Sequence, residues 1–192
     1  MNALGALLAD LTSGDTERAE AAAVVLPEHG DAALTELHKL IETQNIENRW
    51  WATRALAGFP QTEAGDLLAA GLQDPETSIR YCAALALSKR PHEPAISELI
   101  QALSSSDPLF ARLCGDALIA MRAAAVEPLI AILESLPSNA KVEAARALAL
   151  IADTRAIPAL FKLADSDSLT MEHWVSEGLE KMGVGMRFFQ PD

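Results

Sequence analysis

One pattern recurs about every 31 residues along this chain, and it leaves little choice of fold. In residues 74–88 an Asp-Pro pair is followed by Ile79, Cys82, Ala83, Leu85 and Ala86 at helical spacing. Asp74 can cap a helix N-terminus, and Pro75 suits a first turn. The same layout returns before and after. Aligned on one apolar anchor it runs Val24, Leu56, Leu85, Leu118, Leu148 and Leu179, at intervals of 32, 29, 33, 30 and 31 residues. The preceding residue is Ala23, Ala55, Ala84, Ala117, Ala147 or Gly178, small in all six places. Two helices approach closely only where no large side chain intervenes, so the row marks helix–helix contacts. A period of this length reads as an array of helical hairpins.

Second helices follow after short breaks. Ala33, Leu34, Leu37, Leu40 and Ile41 mark the first, and Leu67, Leu68 and Leu72 the next. Ile96, Leu99, Ile100 and Leu103 mark the third, Val126, Leu129, Ile130 and Leu133 the fourth, and Ile157, Leu160 and Leu163 the fifth. Pro94, Pro128 and Pro158 are read as standing at matching positions just before three of them, where proline costs no needed N–H. Residues 1–14 read as an N-terminal cap helix, 15–182 as repeats, and 183–192 as a tail whose Phe188 and Phe189 fold back over the last repeat or, alternatively, form a docking peptide. No alternation of Val, Ile and Thr argues for a sheet. The fold class is all-α: a right-handed α-solenoid of about five hairpins with terminal caps, forming a single domain over 1–192.

Composition narrows the functions. Half the residues are apolar but only 5% aromatic, so the core is built from Ala and Leu contacts. Net charge is −12, from 27 acids and 15 bases. Phosphate backbones and anionic membranes repel such a surface, which argues against nucleic acid and membrane as partners and is compatible with a basic protein. No uncharged apolar run approaches membrane-span length. The apolar N-terminus has no basic n-region and carries Asp10, so it is not read as a signal peptide. Cys82 and Cys114 both sit in Ala-rich helical patterns and read as buried free thiols, which fits the reducing cytoplasm.

Residues with chemistry are sparse. His29, His38, His92 and His173 lack metal-ligand spacing, and His92-Glu93 is an isolated pair. There is no nucleophile elbow, phosphate-cradling glycine loop or Cys-x-x-Cys. Catalytic residues, metal ligands and cofactors are therefore all expected to be none. Trp51 and Trp174 stand five residues before their anchors, about 140° round the helix, where each packs on a neighbouring repeat or anchors a partner.

Asp74-Pro75, Ile79-Arg80 and Ala83-Ala84-Leu85-Ala86-Leu87 resemble the HEAT-repeat consensus. The short period is similar to the HEAT-like repeats of phycobilisome lyases. The segment from Glu143 to Leu148, with Asp153 to Leu160 after it, is the second-best match. The resemblance covers about residues 15–182. It implies an Asp–Arg ladder between repeats, matched here by Asp74 and Arg80, and binding by the second helices along a concave face. The outward positions there are Thr35, Glu36 and Lys39; Gln73; Ser97, Glu98 and Gln101; Ala131 and Ser135; and Phe161, Lys162 and Asp165. Of these, Glu36, Lys39, Gln73, Glu98, Gln101, Phe161 and Lys162 are the candidate protein-binding residues. The reading favours a non-enzymatic scaffold or adaptor for another protein. The alternative is a phycobilin-lyase-like subunit acting on a bilin-carrying protein.

Overall fold

The structure, a computed structural model, describes residues 2–164 and 168–184. The described residues are helical with short connections, and they contain no strand. The chain forms two compact units, Met1–Ala95 and Ile96–Asp192. Each is a stack of antiparallel helices of the α-solenoid kind.

The first unit holds α1 (Ala3–Leu11), α2 (Thr16–Val25), α3 (Gly30–Ile41), α4 (Ile46–Leu56), α5 (Thr62–Gly71) and α6 (Thr77–Lys89). Polar side chains start several of these helices by accepting otherwise unpaired N–H groups. Asn2 caps α1, Asp15 caps α2 and Asn45 caps α4. Gly14, at φ 75°, turns the chain between α1 and α2 in a left-handed conformation that glycine adopts without strain. First helices pack on first helices: α2 on α4, and α4 on α6. Leu11, Leu26, Leu34, Leu37, Leu56, Phe59, Leu68, Leu72, Ile79 and Leu87 form the core, interleaved with buried alanines.

The second unit holds α7 (Ile96–Ala102), α8 (Pro108–Ala120), α9 (Ala123–Ile132), α10 (Ser138–Ile151), α11 (Ile157–Lys162) and α12 (Leu169–Lys181). Asp107 and Ser168 cap α8 and α12. Here α8 packs on α10, and α10 on α12. Gly178 makes the last approach possible: a Cβ there would lie 2.8 Å from Ala149 Cβ and 2.9 Å from its Cα. In sequence order the hairpins are α2/α3, α4/α5, α6/α7, α8/α9 and α10/α11, with the two helices of the third falling one in each unit.

The structure corrects the anchor row in two repeats. Val24 is 64% exposed and Leu85 47% exposed, whereas Leu56, Leu118, Leu148 and Leu179 are buried. The buried row is Ala23, Leu56, Leu87, Leu118, Leu148 and Leu179, at the more even intervals of 33, 31, 31, 30 and 31. A small residue still precedes each: Ala22, Ala55, Ala86, Ala117, Ala147 or Gly178. The anchor-row residue is not the buried one in these two repeats. In the first repeat the buried member is an alanine, and in the third a second leucine lies two positions on.

One rung of the ladder is on Asp74. Arg80 donates to the carbonyls of Asp74 and Pro75 in its own turn. It is Arg49, one repeat earlier, that grips the Asp74 carboxylate with Nε at 2.9 Å and Nη2 at 3.2 Å. Arg49 Nη1 meanwhile holds the carbonyls of Thr43 and Gln44. Helix α6 accordingly starts at Thr77 and not at Pro75, because Asp74 shapes the preceding turn by accepting from the Glu76 N–H at 2.8 Å. Pro128 lies inside α9, whose first residues Ala123, Ala124 and Ala125 precede it. The Phe188–Phe189 tail and Asp165 lie outside the described residues.

Candidate functional site

Two kinds of surface emerge from this packing. The first is a groove in the first unit, between the parallel first helices α4 and α6, with a volume of about 420 Å³. Helix α4 contributes Trp50 and Arg54, and Ala57 at its C-cap, spaced i, i+4, i+7. Helix α6 contributes Ser78, Tyr81, Cys82, Leu85, Ala86 and Lys89, one continuous stripe along its length. Two of the lining residues, Ala57 and Ala86, are small. Trp50 is held by an edge-on contact with Trp51, the ring centroids 4.7 Å apart and the planes at 89°. Trp51 itself is buried, which accords with packing against a neighbouring repeat.

The charges of the groove are unequal. Arg54 is paired with Glu20 of α2. Lys89 is exposed and, among the described residues, has no acid within ion-pair distance. Leu85 stands in the middle, 47% exposed. In the corrected register its position carries Arg54 in the repeat before, and Asp116, Arg146 and Glu177 in later ones. The first repeat carries Ala21 there, so Leu85 is the one large apolar side chain at a position that is charged in four repeats. Cys82, at the edge of the groove, is only 9% exposed, and burial pushes its thiol up to about 11. Cys114 is fully buried and pushed up to about 12 by the same cause. Both are free thiols. A protonated, enclosed thiol is a packing group and not a nucleophile at neutral pH.

The second surface is the outward side of the second helices, described unit by unit. In the first unit Thr35 and Lys39 are exposed on α3 and Glu36 is half-buried, with Lys39 Nζ donating to Glu36 Oε1 at 2.7 Å. Gln73 is exposed just beyond α5. In the second unit Ser97 and Gln101 are exposed on α7, and Ser97 Oγ bonds half-buried Glu98 at 2.7 Å. Ala131 and Ser135 are exposed by α9. Phe161 on α11 is 45% exposed, beside Lys162, which reaches Glu134 at 2.7 Å. Most of these positions are exposed, with Glu36 and Glu98 half-buried. They form two rows, one in each unit, dominated by small and polar side chains with a single large apolar one.

The histidines hold structural places. His92 lies over α5, its Nε2 2.8 Å from Asp66 Oδ1, in a seat that exists because residue 65 is glycine. A Cβ at Gly65 would fall 2.4 Å from the ring. His173 stacks at a tilt on Trp174, with centroids 4.8 Å apart. Among the described residues no group of His, Cys, Asp or Glu is arranged to hold a metal ion, and no helix is long and apolar enough to cross a membrane. The groove was not anticipated from sequence. Its signal was there in the corrected register, where Leu85 replaces a charge one repeat after Arg54 and the Trp50 stripe runs alongside.

Comparison with known proteins places these features in a family context. A model of HEAT repeats matches residues 34–122, and a model of the PBS lyase HEAT-like repeat matches 140–166. The second match falls on α10 and α11, where the sequence resemblance was also found. No curated protein matches the chain in sequence. Among solved structures, an engineered protein is 26% identical with a TM-score of 0.51, the match covering 96% of this chain and 98% of that one. The CpcE and CpcF complex of phycocyanin lyase from Nostoc sp. PCC7120 is 23% identical with a TM-score of 0.56, over 95% of this chain and 78% of that one. The Escherichia coli protein YibA is 15% identical with a TM-score of 0.59, over 93% and 70%. At these identities the last two likenesses concern the fold alone.

Proposed function

We propose that this HEAT-repeat protein is a non-enzymatic adaptor that binds another protein through the outward side of its second helices. The observation that carries the reading is the row in the second unit: exposed small and polar positions on α7 and α9, ending at Phe161, 45% exposed on α11. A floor of small residues leaves room for a partner segment, and a single half-exposed aromatic side chain can anchor it. Glu36, Lys39 and Gln73 form the corresponding row of the first unit. The acidic surface, at a net charge of −12, suits a basic partner, and the two free thiols suit the reducing cytoplasm. The test is affinity capture with the wild-type protein beside Glu98→Lys and Phe161→Ala. A partner retained by wild type and lost from both variants, with helical content and melting unchanged, supports the reading. A partner indifferent to both changes refutes the assignment of the face.

A second reading has one observation in its favour, the lyase-type repeat over 140–166. Under it the protein is a subunit acting on a bilin-carrying protein. The two separate spectroscopically. Formation of a coloured covalent adduct on mixing with a bilin and its acceptor protein favours the lyase reading, and stable capture of an uncoloured partner favours the adaptor.

A further inference from the structure

The groove on the first-helix side is not accounted for by binding through the second helices. We infer that the α4/α6 groove is a separate docking site for an amphipathic helix of a partner protein, seating an apolar side chain between Trp50 and Leu85 and a carboxylate on Lys89. The shape fits such an occupant. The α6 stripe from Ser78 to Lys89 runs about 16 Å, the length of a three-turn helix. An apolar helix face laid between two parallel helices meets the floor at i, i+3, i+4 and i+7.

The composition of the floor favours a protein over a small amphiphile. Trp, Tyr and Arg are the side chains enriched at interface hot spots, and Trp50, Tyr81 and Arg54 stand together here. Leu85 is nearly half exposed at a position that is charged in four other repeats, so its apolar surface finds no cover within the unit. The charge selects the kind of helix. Glu20 neutralises Arg54, which leaves Lys89 as the unbalanced charge of the groove, a cation on a chain of net charge −12. An acidic residue near one end of the incoming helix pairs with it. A basic helix meets Lys89 repulsively, so this site and the second-helix rows select oppositely charged partners.

The experiment is a display selection of helical peptides about 12 residues long against the full-length protein, with binding of the enriched peptides measured by titration. The expected winners carry apolar residues at i, i+3 or i+4, and i+7, with Asp or Glu at one end. Their affinity falls about tenfold on Leu85→Glu and about threefold on Lys89→Glu. Exchanging the peptide's acid for Lys restores binding to Lys89→Glu. Phe161→Ala leaves it unchanged, which keeps this site distinguishable from the proposed adaptor face. Both groove substitutions are at exposed positions, and circular dichroism checks that they fold. Peptides that ignore Leu85→Glu, or that depend on Phe161, overturn the inference. So does a concentration-dependent dimer dispersed by Leu85→Glu in sedimentation, which gives the groove to a second copy of the chain. Quenching of Trp50 fluorescence by dodecanoate with no peptide enriched gives it to a small amphiphile and overturns it equally.

Discussion

Arg54 and Arg146 occupy the same place in their repeats, two residues before the buried anchors Leu56 and Leu148, yet one lies at the surface and the other in the core. Each reaches back to an acid of the preceding first helix. Arg54 meets Glu20, and the side chains stay 37% and 44% exposed. Arg146 is 1% exposed, with Nη1 2.7 Å from Asp116, Nε 2.7 Å from Glu143 and Nη2 3.1 Å from the Arg112 carbonyl. The difference traces to one position of the earlier repeat, three residues before its anchor. In the first unit that position is Glu20 itself. In the second it is Gly115, where a Cβ would lie 2.6 Å from Arg146 Nη2. A missing side chain lets the guanidinium sink; a carboxylate there stops it at the surface. The same repeat template therefore yields an ordinary ion pair or a buried charge network, according to one residue a full repeat away.

The largest expected effect tests that contrast directly. Arg146→Ala removes a buried cation bonded through all three guanidinium nitrogens and leaves Glu143, 20% exposed, with only the 3.8 Å pairing to Arg112. A loss of about 3–5 kcal/mol is expected. Arg54→Ala removes a surface pair, with a cost of about 0–1 kcal/mol. Chemical denaturation of both variants reads the difference. Equal losses would mean that burial does not separate the two arginines.

Overpacking comes next. Gly115→Ala pushes a methyl into the guanidinium, and Ala147→Leu and Ala84→Leu crowd positions that are fully buried. Each is expected to cost about 1–3 kcal/mol. Unchanged denaturation midpoints in all three would break the register on which the comparison of repeats rests.

How much of this was legible in the sequence depends on the residue. The helices, the period and the small residue before each anchor are local properties, and periodicity exposes them. Phe161 reads as outward because its neighbours Leu160 and Leu163 claim the inward side, and it is outward. The register failed at Val24 and Leu85, because hydrophobicity does not say which of two nearby apolar residues faces in. The Arg49–Asp74 tie was missed for another reason. Arg80 matched the consensus in its own repeat, whereas the partner of Asp74 comes from a helix 25 residues earlier. Gly65 and Gly115 look in sequence like weak points of helices. Only the side chain packed over each, His92 in one case and Arg146 in the other, explains it.

The thiols sharpen the contrast between the units kinetically. Cys82 borders the groove of the first unit and Cys114 is sealed in the second. With their thiols pushed up to about 11 and about 12, both carry little thiolate at pH 8. Iodoacetamide is expected to label neither rapidly in the native protein and both after denaturation. As the pH is raised towards 10, Cys82 should react before Cys114, because it has the lower pKa and the greater exposure. The reverse order, read by peptide mass spectrometry, would contradict the placement of the groove beside Cys82.

The smallest effect concerns two aspartates in different kinds of turn, Asp74 between two hairpins and Asp153 within one. Asp74 takes an arginine from the preceding repeat, while Asp153 takes Arg155 from its own turn, with Nη2 at 2.7 Å and the backbone N–H at 3.0 Å. Hydrogen bonds from the Arg155 side chain and backbone hold the Asp153 carboxyl down to about 2, against 3.8 for an ordinary aspartate. The sign follows from which state binds the proton more tightly. The unfolded chain protonates first as pH falls, so the interaction stabilises the folded protein fully above about pH 4 and is lost as pH drops towards 2. Asp153→Asn keeps a capping side chain but removes the charge. The variant is expected to be slightly less stable than wild type at pH 5–7 and to converge with it near pH 2 in urea unfolding. Because both partners are at the surface, the difference should also shrink in high salt. A gap that persists unchanged from pH 7 to pH 2 would mean that Asp153 acts through its cap alone, and that its pairing with Arg155 adds nothing to it.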